Sequence, residues 1–478
     1  MSYQIKTDYT KTFLLPPSLE DWVSQDHPVR FIREFVENLN LKELGFKVET
    51  NQYGSPYYSS DLLLKVWVFG YYNKIRSTRE LEKQAKENLS LIWLLGMETP
   101  DHNTIWRFWR DNKKIMKKIF VESVKVAYSL DLIGMVLEAV DGSKLRAYSS
   151  SREAKDKKQF TEILKTVEES VEKMEKEIEE NKQSEKEDNK LPKELQKKKE
   201  LKEKIKQAIE EIERTKRERL NANETEARIM KNEGKKILSY NGQAVVDSKN
   251  GIIVGIDVTN EENDEKQLIP MIEEAKQTIG KVAECIVADT GYGTAEQVGK
   301  AKEAGYDVIV SISEKSNLAK REDKKYHATN FEYDKERDVM ICPEGKELEY
   351  EKTTQKKKNY KVRLYKGKEC KECLMRDMCI AERKGKPRKE NRVVQLNPYY
   401  EAINEQREKN KDTECIEKIK KRRHIVEPIF GIIKHVHNFR KFTSKGIENA
   451  KAQWTMLNLS VNMRKIYLKW REKTIKFA

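Results

Sequence analysis

KKRRHIVEPIFGIIK, residues 420–434, combines an apolar stripe with charges at helical spacing. Ile425, Ile429, Ile432 and Ile433 recur as on one face of a helix, and Pro428 is the interruption. At about 100° per residue, Arg423, Glu427 and Lys434 fall on one side of that helix. Exposed Glu–Lys and Glu–Arg neighbours are ordinary helix pairs worth ~0.2–0.5 kcal/mol. A carboxylate flanked by two cations also suits a site that holds a divalent metal and a phosphodiester together.

Two aspartates far upstream give this segment its company. Asp141 closes the apolar run 135–140, which is bounded by Gly134 and Gly142 and predicts a buried strand. Asp289 closes a second such run, 285–288, and Gly291 and Gly293 form the loop behind it. Either residue alone reads more readily as an Asp capping a loop. Open α/β sheets, however, keep their chemistry at strand ends. Two strand-end aspartates and a helical glutamate form a hard-oxygen set suited to Mg²⁺ or Mn²⁺. Two such ions about 3.5–4 Å apart serve an in-line phosphoryl displacement.

The set Asp141, Asp289, Glu427 resembles the DDE triad of bacterial insertion-sequence transposases with a ribonuclease-H-like catalytic domain. The last segment resembles their Tyr-x2-Arg-x3-Glu-x6-Lys signature, with Arg423, Glu427 and Lys434 in place and Lys420 where the family has Tyr. The likeness runs nearly end to end, through DHPVRFIREFVE, YYSSDLLLKVWVFGYYNKIRSTRELEK, PDHNTIWRFWRDN, DGSKLRAYSS, ARIMKNEGKKILSYNGQAVVD, ADTGYGT and the cluster of four cysteines between residues 342 and 379. It implies binding to terminal inverted repeats, metal-dependent strand hydrolysis, and attack of the freed 3′-hydroxyl on target DNA. Asp141, Asp289 and Glu427 would hold two Mg²⁺ or Mn²⁺ ions, while Arg423 and Lys434 would grip phosphate oxygens. Cutting two ends implies at least a homodimer in the working complex. Two other classes stay open: a nuclease of the same fold that cuts without joining, and a non-enzymatic DNA-binding relative.

Lysine and arginine number 95 against 80 aspartates and glutamates, a net of +15, which points to a polyanion such as double-stranded DNA. No apolar run is long enough to span a bilayer and the N-terminus is no signal peptide, so a bacterial cytoplasmic location with reduced cysteines is expected. Serine-nucleophile, P-loop and haem chemistry find no motif: there is no nucleophile elbow, Gly-rich phosphate loop or CxxCH.

Residues 1–130 read as an all-helical DNA-binding domain, with helices at 28–38, 60–72, 78–88 and 89–95 and another opening at Pro100-Asp101. In that last helix Ile105, Phe108 and Trp109 point inward. Arg107 and Arg110 face outward with Thr104 and Asn112, an arrangement that fits a helix-turn-helix or an ordinary bundle. Residues 131–478 are expected to form the α/β catalytic domain, a mixed sheet with flanking helices. Strands are expected at 236–247, 251–258, 282–288 and 306–312, with helices at 264–279 and 294–304. Asn263 and Asp264 read as helix-capping residues, and the resemblance leaves them a supporting role.

Two insertions interrupt that domain. In 150–220, Phe160, Leu164, Val167, Val171, Met174 and Ile178 repeat at heptad spacing. After a polar stretch at 179–189, Leu201, Ile205, Ala208 and Ile212 repeat it. This predicts an antiparallel coiled-coil-like hairpin, or helices that pair with another chain. In 318–400, Lys-rich, Cys342, Cys370, Cys373 and Cys379 fit a structural zinc site or stay as reduced thiols. In the tail, Phe439-Arg440-Lys441-Phe442 is a basic-aromatic segment suited to a DNA backbone, with Arg440 as a phosphate contact. A final helix is expected at 448–469, with Trp454, Leu457, Val461, Ile466 and Leu468 packing.

Overall fold

The computed structural model describes residues 18–48, 57–182, 191–232, 234–312, 325–356, 360–380 and 389–477. Part of the polar stretch between the heptad repeats, 183–190, lies outside them. In chain order the elements begin with seven helices, α1 (Pro28–Glu37), α2 (Leu41–Leu44), α3 (Ser60–Tyr72), α4 (Thr78–Glu87), α5 (Leu89–Leu94), α6 (His102–Asn112) and α7 (Met116–Ser129). Then come β1 (Leu137–Arg146), α8 (Lys157–Lys182), α9 (Leu191–Thr215), β2 (Arg228–Asn232), β3 (Lys235–Asp247), β4 (Ile253–Thr259) and α10 (Leu268–Ile279). β5 (Cys285–Ala288), α11 (Ala295–Glu303) and β6 (Val308–Val310) follow. After them come β7 (Glu332–Asp334), β8 (Val339–Ile341), β9 (Glu347–Lys356), β10 (Tyr360–Gly367), α12 (Arg376–Cys379) and β11 (Val393–Leu396). The chain closes with α13 (Tyr400–Lys409), α14 (Thr413–Gly431), a π-helical turn at Ile432–Val436, and α15 (Ile447–Phe477).

Packing divides the chain into two compact units. The first comprises Met1–Glu262, Met271–Ala283 and His424–Ala478, and the second Asn263–Pro270 and Glu284–Arg423. The sequence division at residue 130 is not where packing divides the chain, because α15 ties the early helices to the sheet. Tyr467 Oη donates to the Asp26 carbonyl at 2.8 Å and Trp470 Nε1 to Glu34 at 2.8 Å. On the same helix, Trp454 Nε1 donates to the Gln243 carbonyl at 3.0 Å, and the Asn462 side chain bonds both backbone groups of Ile253. Leu468, expected to pack, is half exposed, whereas Trp454, Leu457, Val461 and Ile466 are buried.

The early helices start where local chemistry says they should. His27 Nδ1 accepts from Val29 N–H ahead of Pro28, and the Asp101 carboxylate accepts from Asn103 and Thr104 N–H. Such caps contribute about 1 kcal/mol each.

The first unit's sheet is antiparallel: β3 lies between β1 and β4, and β2 also pairs with β3. The hairpin into β4 turns at Gly251, whose φ of +65° is left-handed. α10 closes on the face of Gly255, where an added Cβ would stand 3.1 Å from Ala275 N. The heptads form the antiparallel pair α8–α9. Phe160, Ile205, Ala208 and Ile212 are buried along its seam, and Lys157–Glu213, Lys202–Glu168 and Lys199–Glu175 bridge its flanks.

In the second unit β5 and β6 are parallel and α11 connects them. The Lys-rich insertion is a five-stranded antiparallel sheet in the order β11-β10-β9-β8-β7, which its charged strands did not announce.

Candidate functional site

Asp141 does not close its strand. β1 runs ten residues, through Gly142 to Arg146, because its antiparallel ladder with β3 continues to Arg146 opposite Ser239. A strand paired on a long partner passes a glycine that an isolated run would end at. Asp141 stands opposite Ala244, and its Oδ1 accepts from Gly142 N–H at 2.9 Å.

Register places Glu427's helix on the same face of the sheet as Asp141. Ser143, two residues on from Asp141, stands opposite Gly242. A Cβ on Gly242 would lie 3.1 Å from the Trp454 ring, and Trp454 stacks on Phe430 at 6.4 Å between centroids. Residues two apart in a strand, and residues directly opposite, share a face. The face of Asp141 is therefore covered by α15 and by the end of α14, with Glu427 one turn before Phe430. The buried residues there are Val426, Ile429, Phe430 and Ile433. Ile425 and Ile432, expected in the stripe, are only half-buried, while Glu427 is exposed.

Pro428 lies inside α14 rather than ending it, and the helix runs on into the π turn. Lys434 stands in that turn, so its direction does not follow the 100° rule. The chain then reaches β1: Arg146 N–H donates to Arg440 O at 3.2 Å and Phe442 N–H to Arg146 O at 2.9 Å. Lys434, His435 and Arg440 thereby line a cavity of about 410 Å³ with Lys144, Arg146 and Lys235. The last three were not singled out from sequence. Lys144 and Arg146 share one face of β1 by alternation, a signal hidden when the strand is stopped at Gly142. Along β1, Lys144 is about 10 Å from Asp141.

The same strand carries a buried acid. Glu138 is 2% exposed, opposite Asp247. Burial pushes its carboxyl up to about 8, and the Asp247 charge acts in the same direction. Asp247 accepts from the N–H groups of Gly134, Met135 and Lys249.

Arg107 and Arg110 stand exposed on α6, away from this cavity's lining, with Ile105, Phe108 and Trp109 buried behind them. Arg110 pairs with Asp111 at 2.7 Å and lies 5.2 Å over Trp106.

In the second unit Asp289 follows β5 directly, as expected, and its Oδ1 accepts from Gly291 N–H at 2.7 Å. A Cβ on Gly291 would lie 2.9 Å from Asp289 Oδ1 and 3.8 Å from Asp264 Oδ2, so both carboxylates flank this glycine. Arg423 is exposed on α14. Cys342, Cys370, Cys373 and Cys379 line one small cavity. Among the described residues, no three His, Cys, Asp or Glu side chains stand as a ready-made metal-holding group. Nor is any helix there long and apolar enough to cross a membrane.

Residues 341–467 match the family model described as Transposase DDE domain, and residues 17–111 match Transposase domain (DUF772). The first span holds Arg423, Glu427, Lys434, Arg440 and the four cysteines; Asp141 and Asp289 lie outside both. No curated protein and no solved structure matches the chain.

Proposed function

Because this chain belongs to the DDE transposases of insertion sequences, we propose that it cuts DNA at the ends of its element and joins the freed 3′-hydroxyl to target DNA. The observation that carries this reading is the meeting of Asp141's strand with the segment that follows Glu427's helix, around one cation-lined cavity. The order of elements also supports a ribonuclease-H-like catalytic domain: an antiparallel β1–β3–β4 set, a helix, then a parallel strand–helix–strand unit.

Asp141, Asp289 and Glu427 would hold the divalent ions. All three supply hard carboxylate oxygens, and the two aspartates are each oriented by a backbone N–H. Bound Mg²⁺ or Mn²⁺ supplies polarisation of the scissile phosphate and of the attacking hydroxyl. Lys144, Arg146, Lys235, Lys434 and Arg440 neutralise consecutive phosphates of the strand. That holds its register without reading sequence. Arg423 adds a planar fork for phosphate oxygens. The outer face of α6, with Arg107 and Arg110, is where the element's end would dock, as in a helix-turn-helix reader. Two ends need two copies, so the working complex is a homodimer on the bacterial chromosome, in the cytoplasm.

The test uses the full chain with labelled DNA from the flanks of its own gene, a target plasmid, and Mg²⁺ or Mn²⁺. Nicks at the element ends together with plasmid-joined products are expected. Nicks without joined products would make the protein a nuclease of the same fold. Binding with no nicks under either metal would make it a non-enzymatic relative.

A further inference from the structure

The β7–β11 sheet has little to hold it together. Its core is six buried residues, Phe331, Met340, Leu348, Tyr365, Val394 and Leu396, with Cys342 and Cys379 packed against them. Sheets with so small an apolar core usually carry a staple. No disulfide supplies one, since all six cysteines of the described chain are free.

Four of those cysteines surround one cavity of about 30 Å³, room for an ion but for little else. Two turns deliver them. Cys342 opens the β8–β9 turn, where Gly345 N–H donates to Cys342 O at 2.8 Å and Lys346 N–H reaches Cys342 Sγ at 3.3 Å. Gly345 has a φ of +74°, the left-handed conformation that aims the following amide back at the sulfur. Cys370 lies within a 3₁₀ turn after β10 and Cys373 caps its end, with Cys373 N–H donating to Cys370 O at 3.4 Å, and Cys379 ends α12. Gly367 makes room for the second turn: a Cβ there would stand 2.6 Å from Cys370 Sγ.

Lys346, Arg376 and Arg392 line the cavity together with Glu344, Glu347 and Glu369. The Nε–H of each arginine is buried without a hydrogen-bond partner. Arg392 spends Nη1 on the Cys379 carbonyl at 3.3 Å. Both arginines are half-buried, and thiolates beside them would offer each buried Nε–H an acceptor.

We propose that Cys342, Cys370, Cys373 and Cys379 bind one zinc ion as a closed tetrathiolate that staples the β7–β11 sheet. Binding replaces four S–H bonds by four Zn–S bonds of about 2.3 Å and releases four protons to solvent. The product carries two negative charges, and the guanidinium groups of Arg376 and Arg392 stand at the same cavity. The thiols are not preassembled as a ligand group. Closing the site would call on the cysteine side chains to turn between staggered rotamers. Four thiolates leave no open position, so the ion is structural, and the proposal stands independently of the transposase reading.

The test is metal content of the full chain, purified reduced and without chelator from zinc-containing medium. About one zinc per chain is expected. Co²⁺ in its place should give the intense thiolate-to-metal absorption of a tetrahedral site. Cys370→Ser with Cys373→Ser should lose at least nine-tenths of the metal, roughly, while Cys415→Ser keeps all of it. Gly367→Ala, which removes no ligand, should release zinc faster to a chromophoric chelator. A wild-type chain with under about a tenth of an equivalent of zinc and no cobalt band overturns the proposal whatever the variants do. Full zinc in the double serine variant overturns it as well. Unchanged release from Gly367→Ala would remove Cys370 from the ligand set.

Discussion

Asp141 and Asp289 are the same side chain in opposite settings. Asp141 sits in the middle of a ten-residue strand, locked in a ladder with β3. Asp289 stands just past a four-residue strand, in a loop whose nearest constraint is the Gly291 N–H. The first is positioned by pairing that would have to break before it moved. The second is positioned by a single turn, so its placement is open to small changes nearby. A strand interior gives rigidity, and a glycine loop gives close backbone approach at lower local stability.

The strongest way to break the comparison is to remove each carboxylate. Asp141→Asn and Asp289→Asn should each lower metal-dependent end cleavage by about 10³-fold or more in single-turnover assays, while affinity for the end DNA changes little. Cleavage that survives either change would show that residue lies outside the chemistry.

Next in size is the cation cavity of the first unit, lined by Lys144, Arg146, Lys235, Lys434 and Arg440. Lys434→Ala with Arg146→Ala should weaken DNA binding about 10–100-fold and lower the slope of log K against log salt by about one per lost contact. Arg107→Ala with Arg110→Ala should give a smaller drop that depends on the end sequence. Gel shifts showing no change for either pair would remove that surface from the DNA path.

Gly291→Ala probes the looser setting. Its Cβ would stand 2.9 Å from Asp289 Oδ1, so cleavage should fall about tenfold with an unchanged melting temperature. An equal loss of melting temperature would mean that the loop is structural.

The smallest effect concerns the rigid side. Glu138 titrates near 4.5 when unfolded and at about 8 when folded. Its folded form keeps a proton that the unfolded chain has lost, so its contribution is full below pH 4.5 and disappears as pH rises to 8. Glu138→Gln should melt close to wild type at pH 4.5 and a few degrees higher at pH 8. Parallel curves across that window would place the cost elsewhere.

Much of this was legible in the residues. The caps at His27 and Asp101 and the seam of Phe160, Ile205 and Ala208 announce their helices, because capping and heptad periodicity are local. β1 was cut short because Gly142 reads as a breaker until its partner is known, and Lys144 and Arg146 were lost with it. The β7–β11 sheet was missed for a related reason. A strand such as ELEYEKTTQK in β9 is charged almost throughout, and only Leu348 among its residues enters the core. Glu138 had a signal, a lone acid inside the run 135–140, but burial opposite Asp247 is a fact of register.

By itself the sequence determined the kinds of group available, carboxylates, cations and thiols, and the helices whose ends are capped by neighbours in the chain. Only the tertiary structure decided that Asp141 lies within its strand on the face covered by α14 and α15, and that Arg146 meets the backbone of Arg440 and Phe442. Those placements rest on pairings between residues hundreds of positions apart. A one-residue shift of register would turn each side chain to the opposite face.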